Sequence, residues 1–358
     1  MLEFKNLEEK RASFFCQDPI ATNFCGFENI DSFNDLLKII ELYKGKSNYI
    51  FRGINEAKYY ITSSLQVKWD KDNLPQNQKL FDLYVLYSLW KFRRNLCNNP
   101  GINVDTENVD FDILSILQHY KKHTPLIDFS EDIYVSLLFM TKDYIPYNSS
   151  DNEINKYCSL YIINRSHSYW VNNTNLYLSA NYDLGKKTDE YNRNSNNKVA
   201  NIEDFTKYNK LDDVRAGIII ERNFVELSSK YLPSLKMGIS SPRQDKQKGL
   251  FALNSTINTS LDKYMYNWYK SYPLIKCYNI NKSIIPDIEK ILNRKNYTYD
   301  NIYNLTNNKE SQLYENFIDG LGILNPLEFY DTYIDYINDK DNTIIFHSFE
   351  DKNEFFCF

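Results

Sequence analysis

Asn48-Tyr49-Ile50-Phe51-Arg52-Gly53 reads as a short β-strand, and what this strand carries decides how the rest of the chain is read. Side chains alternate faces along a strand, so Ile50 and Arg52 share one face and Tyr49 and Phe51 the other. A strand that is apolar on both faces belongs in the middle of a sheet. Arg52 is therefore expected to be at least half buried, where a guanidinium needs a carboxylate, a phosphate or several carbonyls. Two readings stay open: a structural ion pair with Asp128 as the natural partner, or a bidentate clamp on a ligand phosphate or carboxylate. Gly53 lets the chain turn, or lets a ligand approach the backbone closely.

Outward from this strand, the apolar spacing of Phe33, Leu36, Leu37 and Ile40 predicts a helix over 32–43, with Asp31 or Ser32 as N-cap. A second strand is expected at 58–65, a long amphipathic helix at 78–97, and a helix from Asp110 to about Tyr120. Then come a strand at 123–129 and a helix at 131–144. Further strands are expected at 158–163, 216–220, 249–253 and 274–280, with a polar, Asn-rich loop over 186–201 and a helix at 283–292. From about Asn301 acidic and aromatic residues alternate, with helices at 309–320 and 327–337. Strands and helices interleave, yet several strands are hairpin-like neighbours, which predicts an α+β fold with a mixed, mostly antiparallel sheet and flanking helices. The organisation read from this is an N-terminal extension (1–30), an α+β domain (31–300, its core motifs over 48–144 and continuing to about 292) and a helical, aromatic tail (301–358).

The 358 residues can bury a sizeable core, and 42% hydrophobic with 25% charged residues describes a globular chain. A formal net charge of −5 argues against a general nucleic-acid coat, although local basic clusters remain compatible with a groove. The 30 Tyr and 22 Phe suit base stacking, but most are expected to fill cores and half-buried surfaces. With 10 Gly there is neither a G-x-G-x-x-G nor a P-loop, so phosphate binding does not run through a glycine cradle. Six scattered Cys without C-x-x-C spacing suit reduced thiols. No secretory leader and no apolar run of membrane-spanning length is read, so a cytoplasmic protein without membrane association is expected.

The polar residues of the next segments converge on one junction. Gln118-His119-Tyr120 closes the helix whose apolar side is Ile113, Leu114, Ile116 and Leu117. His119 there either caps carbonyls at the helix C-terminus or serves as a donor to a substrate hydroxyl, or as a general acid or base. His119 and His123 have helical metal-ligand spacing, but the helix ends between them and no third ligand is placed, so no metal is expected. Thr124-Pro125-Leu126-Ile127-Asp128-Phe129-Ser130 then leads into a helix whose N-cap is read as Ser130. Glu131 and Asp132 make that helix start a poor phosphate cradle, so a phosphate in this pocket would depend on Arg52. A third cluster, Arg243-x-x-x-Gln247-x-Gly249-Leu250-Phe251, is locally basic through Lys236, Arg243, Lys246 and Lys248, and sets Gln247 at the mouth of a strand.

In this order the three clusters resemble the FRG domain family, named for its Phe-Arg-Gly motif. The family pattern is F-R-G, then Q-H-Y-G-x-x-T-x-L-L-D-[WF]-T leading into P-x-x-A-L-x-F-A, then R-x-x-x-Q-x-G-x-F. Here Lys121 stands in place of the usual Gly, His123 in place of Pro and Ser130 in place of Thr. The likeness covers about 31–144 well and extends more weakly to Gln247 and to 280–292. It implies a bacterial or phage-defence effector with a nucleotide pocket. The family's layout is similar to ADP-ribosyltransferase folds, which implies a split sheet, NAD as cofactor, and ADP-ribosyltransferase or NAD glycohydrolase chemistry on a protein or nucleic-acid acceptor. In that comparison Arg52 holds the NAD pyrophosphate, and Gly53, Tyr120, Thr124, Ser130 and Arg243 complete the cofactor site. His119, Asp128 and Gln247 form the catalytic set, with His119 bonded to a ribose hydroxyl. The late-strand glutamate of those enzymes has no evident counterpart: Gln247 stands near its place without the charge, and no spacing compels Glu221 or Glu226. The alternative is a non-catalytic nucleotide- or nucleic-acid-binding recognition module of a defence system, and a third reading is an interaction subunit whose aromatic, acidic tail (about 301–358) docks a partner protein.

Overall fold

The structure is a computed structural model describing residues 3–15, 26–96, 109–120, 122–148, 150–164, 226–227, 246–254, 256–263, 275–303 and 309–338. In chain order the elements are α1 (Leu7–Ser13), β1 (Gly26–Ile30), α2 (Phe33–Tyr43), β2 (Tyr49–Ile54), α3 (Ser64–Lys71), α4 (Gln78–Leu96), α5 (Val109–His119), β3 (Leu126–Ser130) and α6 (Ile133–Thr141). They continue with β4 (Tyr157–Asn164), β5 (Glu226–Leu227), β6 (Gly249–Leu253), β7 (Ile275–Asn281), α7 (Ile285–Arg294), α8 (Tyr299–Tyr303), α9 (Lys309–Gly320) and α10 (Pro326–Asn338). The strands form a 7-stranded sheet in the order β1-β7-β4-β2-β3-β6-β5. Among the described strands only β1 and β7 run parallel; the other pairs are antiparallel. The expected mixed, mostly antiparallel α+β architecture is what the chain adopts, with β2 at the centre.

Alternation along the strands divides the interior. Ile50, Tyr161, Ile163, Ile127, Phe129 and Cys277 line one face, packed beneath Phe4, Phe14, Ala57, Tyr60 and Ile61. Phe51, Leu160, Ile162 and Ile280 line the other, under α2, α6 and α7. On that second side Leu126 and Phe251 carry the core onward into a cluster built from α3, α4, α5, α9 and α10. The N-terminal segment joins the sheet through β1, and α9 and α10 of the tail share the α4–α5 core.

Helix α6 lies directly on β2. A Cβ on Gly53 would overlap the carbonyl oxygen of Ser136 and come within 2.8 Å of Met140 Cβ, so the close approach expected at Gly53 is made by a helix. No ligand shares that space. On the opposite face, Lys10 of α1 is fully buried and donates to the carbonyl of Ala57, to Ser159 Oγ and, at 2.9 Å, to Asn279 Oδ1. Ser159, Asn279 and Asn29 stand in register across β4, β7 and β1, so this is one polar rung under an apolar face.

Two sequence expectations need correction. Residues 58–65 form no strand. Tyr59 makes an isolated bridge to Glu3, and α3 starts at Ser64 because Ser63 and Gln66 form a reciprocal capping box. The N-cap of α6 is Asp132, not Ser130. Ser130 ends β3, donates to the Gln247 carbonyl at 2.6 Å and accepts the Asp132 N–H at 2.9 Å, so its hydroxyl ties strand to strand before the helix begins. The strand expected at 216–220 and the loop over 186–201 lie outside the described residues.

Candidate functional site

The site begins at a fork in the sheet. β2 pairs with β4 along its whole length, but with β3 only at Phe51↔Ser130, and beyond that pair the two strands part. Arg52 stands at the fork. Its Nη1 donates to the Asp128 carbonyl at 2.6 Å, so the guanidinium satisfies a β3 acceptor that β2 does not reach. The Asp128 carboxylate lies close by, with Oδ2 4.0 Å from Nη1, beyond a direct hydrogen bond. The Arg52 side chain is 19% exposed and that of Asp128 36%, because both open onto a cavity of about 550 Å³.

The cavity is walled by Arg52, Ile54, Leu126 and Asp128 from the strands, Gln118 and His123 from the α5–β3 junction, Tyr59, Tyr60 and Thr62, and Ser64, Lys68, Asp70 and Lys71 of α3. Its back is cross-tied. The Leu65 N–H donates to the Thr124 carbonyl (3.1 Å), and the Thr124 N–H to Ser64 Oγ (3.1 Å). Gln118 Oε1 accepts from Thr124 Oγ1 (2.6 Å) and Ser64 Oγ (3.1 Å), and Gln118 Nε2 donates to Asp128 Oδ2 (2.8 Å). Burial pushes the Asp128 carboxyl up, opposed by Arg52 and by the Gln118 amide. Burial, then the Lys68 charge, push His123 down, which favours its neutral form.

Residues 59–62 are held from behind by Asp262, whose Oδ1 accepts the Ile61 N–H at 2.8 Å, while the Ile61 carbonyl accepts from Leu261 at 2.9 Å. Burial raises the Asp262 pKa from 3.8 to about 6, with the Ile61 N–H opposing. A raised carboxyl pKa means the unfolded chain ionises first, so this residue's contribution to stability is complete below about pH 4 and is lost as pH rises through about 6. Urea titrations should show wild type losing on the order of 2–3 kcal/mol relative to Asp262→Asn between pH 4 and 7. Parallel curves for the two proteins would contradict this assignment.

Of the residues singled out in the sequence, the cavity brings together Arg52 and Asp128, with Thr124 one hydrogen bond behind. His119 is buried against Phe251, ring centroids 5.2 Å apart, and does not line the cavity. Tyr120 is buried and stacks on Tyr314 at 5.8 Å. Ser130 and Gln247 meet at the β3–β6 junction, and the buried Gln247 Nε2 has no hydrogen-bond partner among the described residues. Glu226 sits on β5 in register with Ala252, whereas Glu221 and Arg243 lie outside the described residues. Among the described residues no cluster of His, Cys, Asp or Glu has the makings of a metal site. No described helix is long and apolar enough to cross a membrane. The sequence expectations give His123 only as half of a metal spacing, place Ser64 in a strand over 58–65 and assign Lys68 to no element, so α3 goes unrecognised. The S-x-x-Q pattern at Ser63 was the signal available for it.

A family model described as the FRG domain matches residues 47–149. No curated protein and no solved structure matches the chain. The matched span holds β2, the α5–β3 junction and α6, so the Phe-Arg-Gly motif acquires a physical meaning here. Phe51 packs under α6, Arg52 bridges the fork beside the cavity, and Gly53 admits the α6 backbone. The chain carries an FRG domain, at residues 47–149.

Proposed function

We propose that the cavity is a nucleotide pocket of the NAD class and that the protein is an ADP-ribosyltransferase- or NAD glycohydrolase-like effector of a bacterial or phage-defence system. The observation that supports this most is the placement of Arg52 and Asp128 side by side at a forked sheet, on the wall of a cavity whose 550 Å³ suits a nucleotide. Arg52 supplies the charge for a phosphate, in the absence of a glycine cradle. Asp128 supplies the negative charge that the Gln247 amide cannot, facing the cation that develops when the glycosidic bond to nicotinamide breaks. Lys68 and Lys71 on the same wall favour one alternative, a recognition module that binds nucleotide or nucleic acid without turnover.

Nicotinamide release from NAD, measured with and without protein and nucleic-acid acceptors, separates the two. Turnover by wild type that falls about a hundredfold or more in Arg52→Lys, with the far-UV spectrum retained, is the expected result. Saturable, salt-sensitive NAD binding with no nicotinamide released under any condition contradicts the enzyme and leaves the recognition module.

A further inference from the structure

We infer that Asp128 is the hydrogen-bond acceptor for a ribose hydroxyl and that Gln118 is its positioning residue, so that the pocket takes ribonucleotides in preference to their 2′,3′-dideoxy counterparts. This rests on the nucleotide reading of the cavity and adds the group that the floor of the pocket selects.

The inference follows from the polarity of one hydrogen-bond chain. Backbone N–H groups can only donate, and two of them fix the direction of everything beyond. The Leu126 N–H donates to Thr124 Oγ1 (3.2 Å), and the Thr124 N–H donates to Ser64 Oγ (3.1 Å). Each hydroxyl, having accepted, turns its own hydrogen outward. That of Thr124 goes to Gln118 Oε1 at 2.6 Å; that of Ser64 is shared between Gln118 Oε1 and the Thr124 carbonyl. Gln118 therefore presents its oxygen to the hydroxyls and its NH₂ to Asp128 Oδ2, at 2.8 Å. A carboxyl oxygen that receives this N–H is held as an acceptor, and the other carboxylate oxygen is oriented with it.

The consequence concerns the ligand. A carboxylate fixed as acceptor on a cavity wall repels phosphate and seeks O–H or N–H donors, and the donors a nucleotide carries on its sugar are the ribose hydroxyls. The charged and titratable groups sharing the cavity with Asp128 are Arg52 of β2, Tyr59 and Tyr60, His123 ahead of β3, and Lys68, Asp70 and Lys71 of α3. Anions are thus drawn to the cationic members of this wall, and the sugar is left to Asp128. His119, to which the family likeness assigned the ribose, packs on Phe251 and is not in a position to do this.

The test is calorimetric titration of wild type, Asp128→Asn and Gln118→Leu with AMP and 2′,3′-dideoxy-AMP. Wild type should bind AMP about tenfold tighter or more, the worth of a hydrogen bond to a charged acceptor, and Asp128→Asn should reduce the ratio to about threefold or less. Gln118→Leu withdraws the N–H that favours the carboxylate, so its preference for AMP should disappear at higher pH than in wild type. Equal binding of both nucleotides by wild type overturns the inference and leaves the nucleotide pocket intact. No saturable binding of either overturns both. An unmoved pH profile in Gln118→Leu overturns the role given to Gln118.

Discussion

Gly53→Ala is expected to lose about 3 kcal/mol or more of stability, the upper end of what overpacking costs. Most small-to-large changes are absorbed because a flexible side chain yields. Here the new methyl meets backbone: it overlaps the Ser136 carbonyl oxygen and lies 2.9 Å from Met140 N and 2.8 Å from its Cβ. Relief requires lifting α6 from β2, which would expose Phe51, Leu137 and Met140, all at most 1% exposed. The neighbouring glycine of the motif's logic is thus steric, not conformational. Chemical denaturation measures the loss. A Gly53→Ala protein within 1 kcal/mol of wild type would show that α6 does not sit on the sheet as described.

Lys10→Ala should be comparably damaging, by about 3 kcal/mol or more, from the emptied volume and from acceptors left in an apolar core. The Ala57 carbonyl and Asn279 Oδ1 each accept from the ammonium, at 2.8 and 2.9 Å, with Ser159 Oγ between them. The Tyr161 ring faces the same ammonium, 5.2 Å from Nζ to its centroid. Burial pushes the Lys10 pKa down, while nearby ionisable groups partly oppose. Removing the lysine should also release α1, so limited proteolysis before Gly26 is the second readout. A variant as stable and as protease-resistant as wild type would contradict the anchoring.

How much of this was legible in the sequence depends on the range of the interaction. The Asn48–Gly53 run has a local pattern, and its alternation alone placed Ile50 and Phe51 on opposite faces of a central strand. Arg52 and Asp128 were paired because a guanidinium on such a strand needs an acceptor. What the pattern did not contain is that the acceptor is the Asp128 carbonyl, a consequence of where β2 and β3 part. Residues 58–65 read as strand because Tyr59, Tyr60, Ile61 and Thr62 favour strands, whereas the Ser63–Gln66 capping box opens a helix at Ser64. Gln118 and His119 are adjacent on α5 and chemically plausible alike; which one serves the cavity is set by the direction in which α5 meets β3. Lys10 lies among Glu8, Glu9 and Arg11, and nothing local marks it as buried, since its partners at Ser159 and Asn279 are far along the chain.

Titration of ADP-ribose into wild type and Arg52→Lys, at low and at moderate salt, tests the central claim most directly. Wild type should bind saturably and more weakly as salt rises, and Arg52→Lys, folded by circular dichroism, should lose about tenfold or more, because a lysine cannot reproduce the guanidinium fork. Equal affinities for the two proteins, or no binding to wild type, would contradict a nucleotide site at the β2–β3 fork.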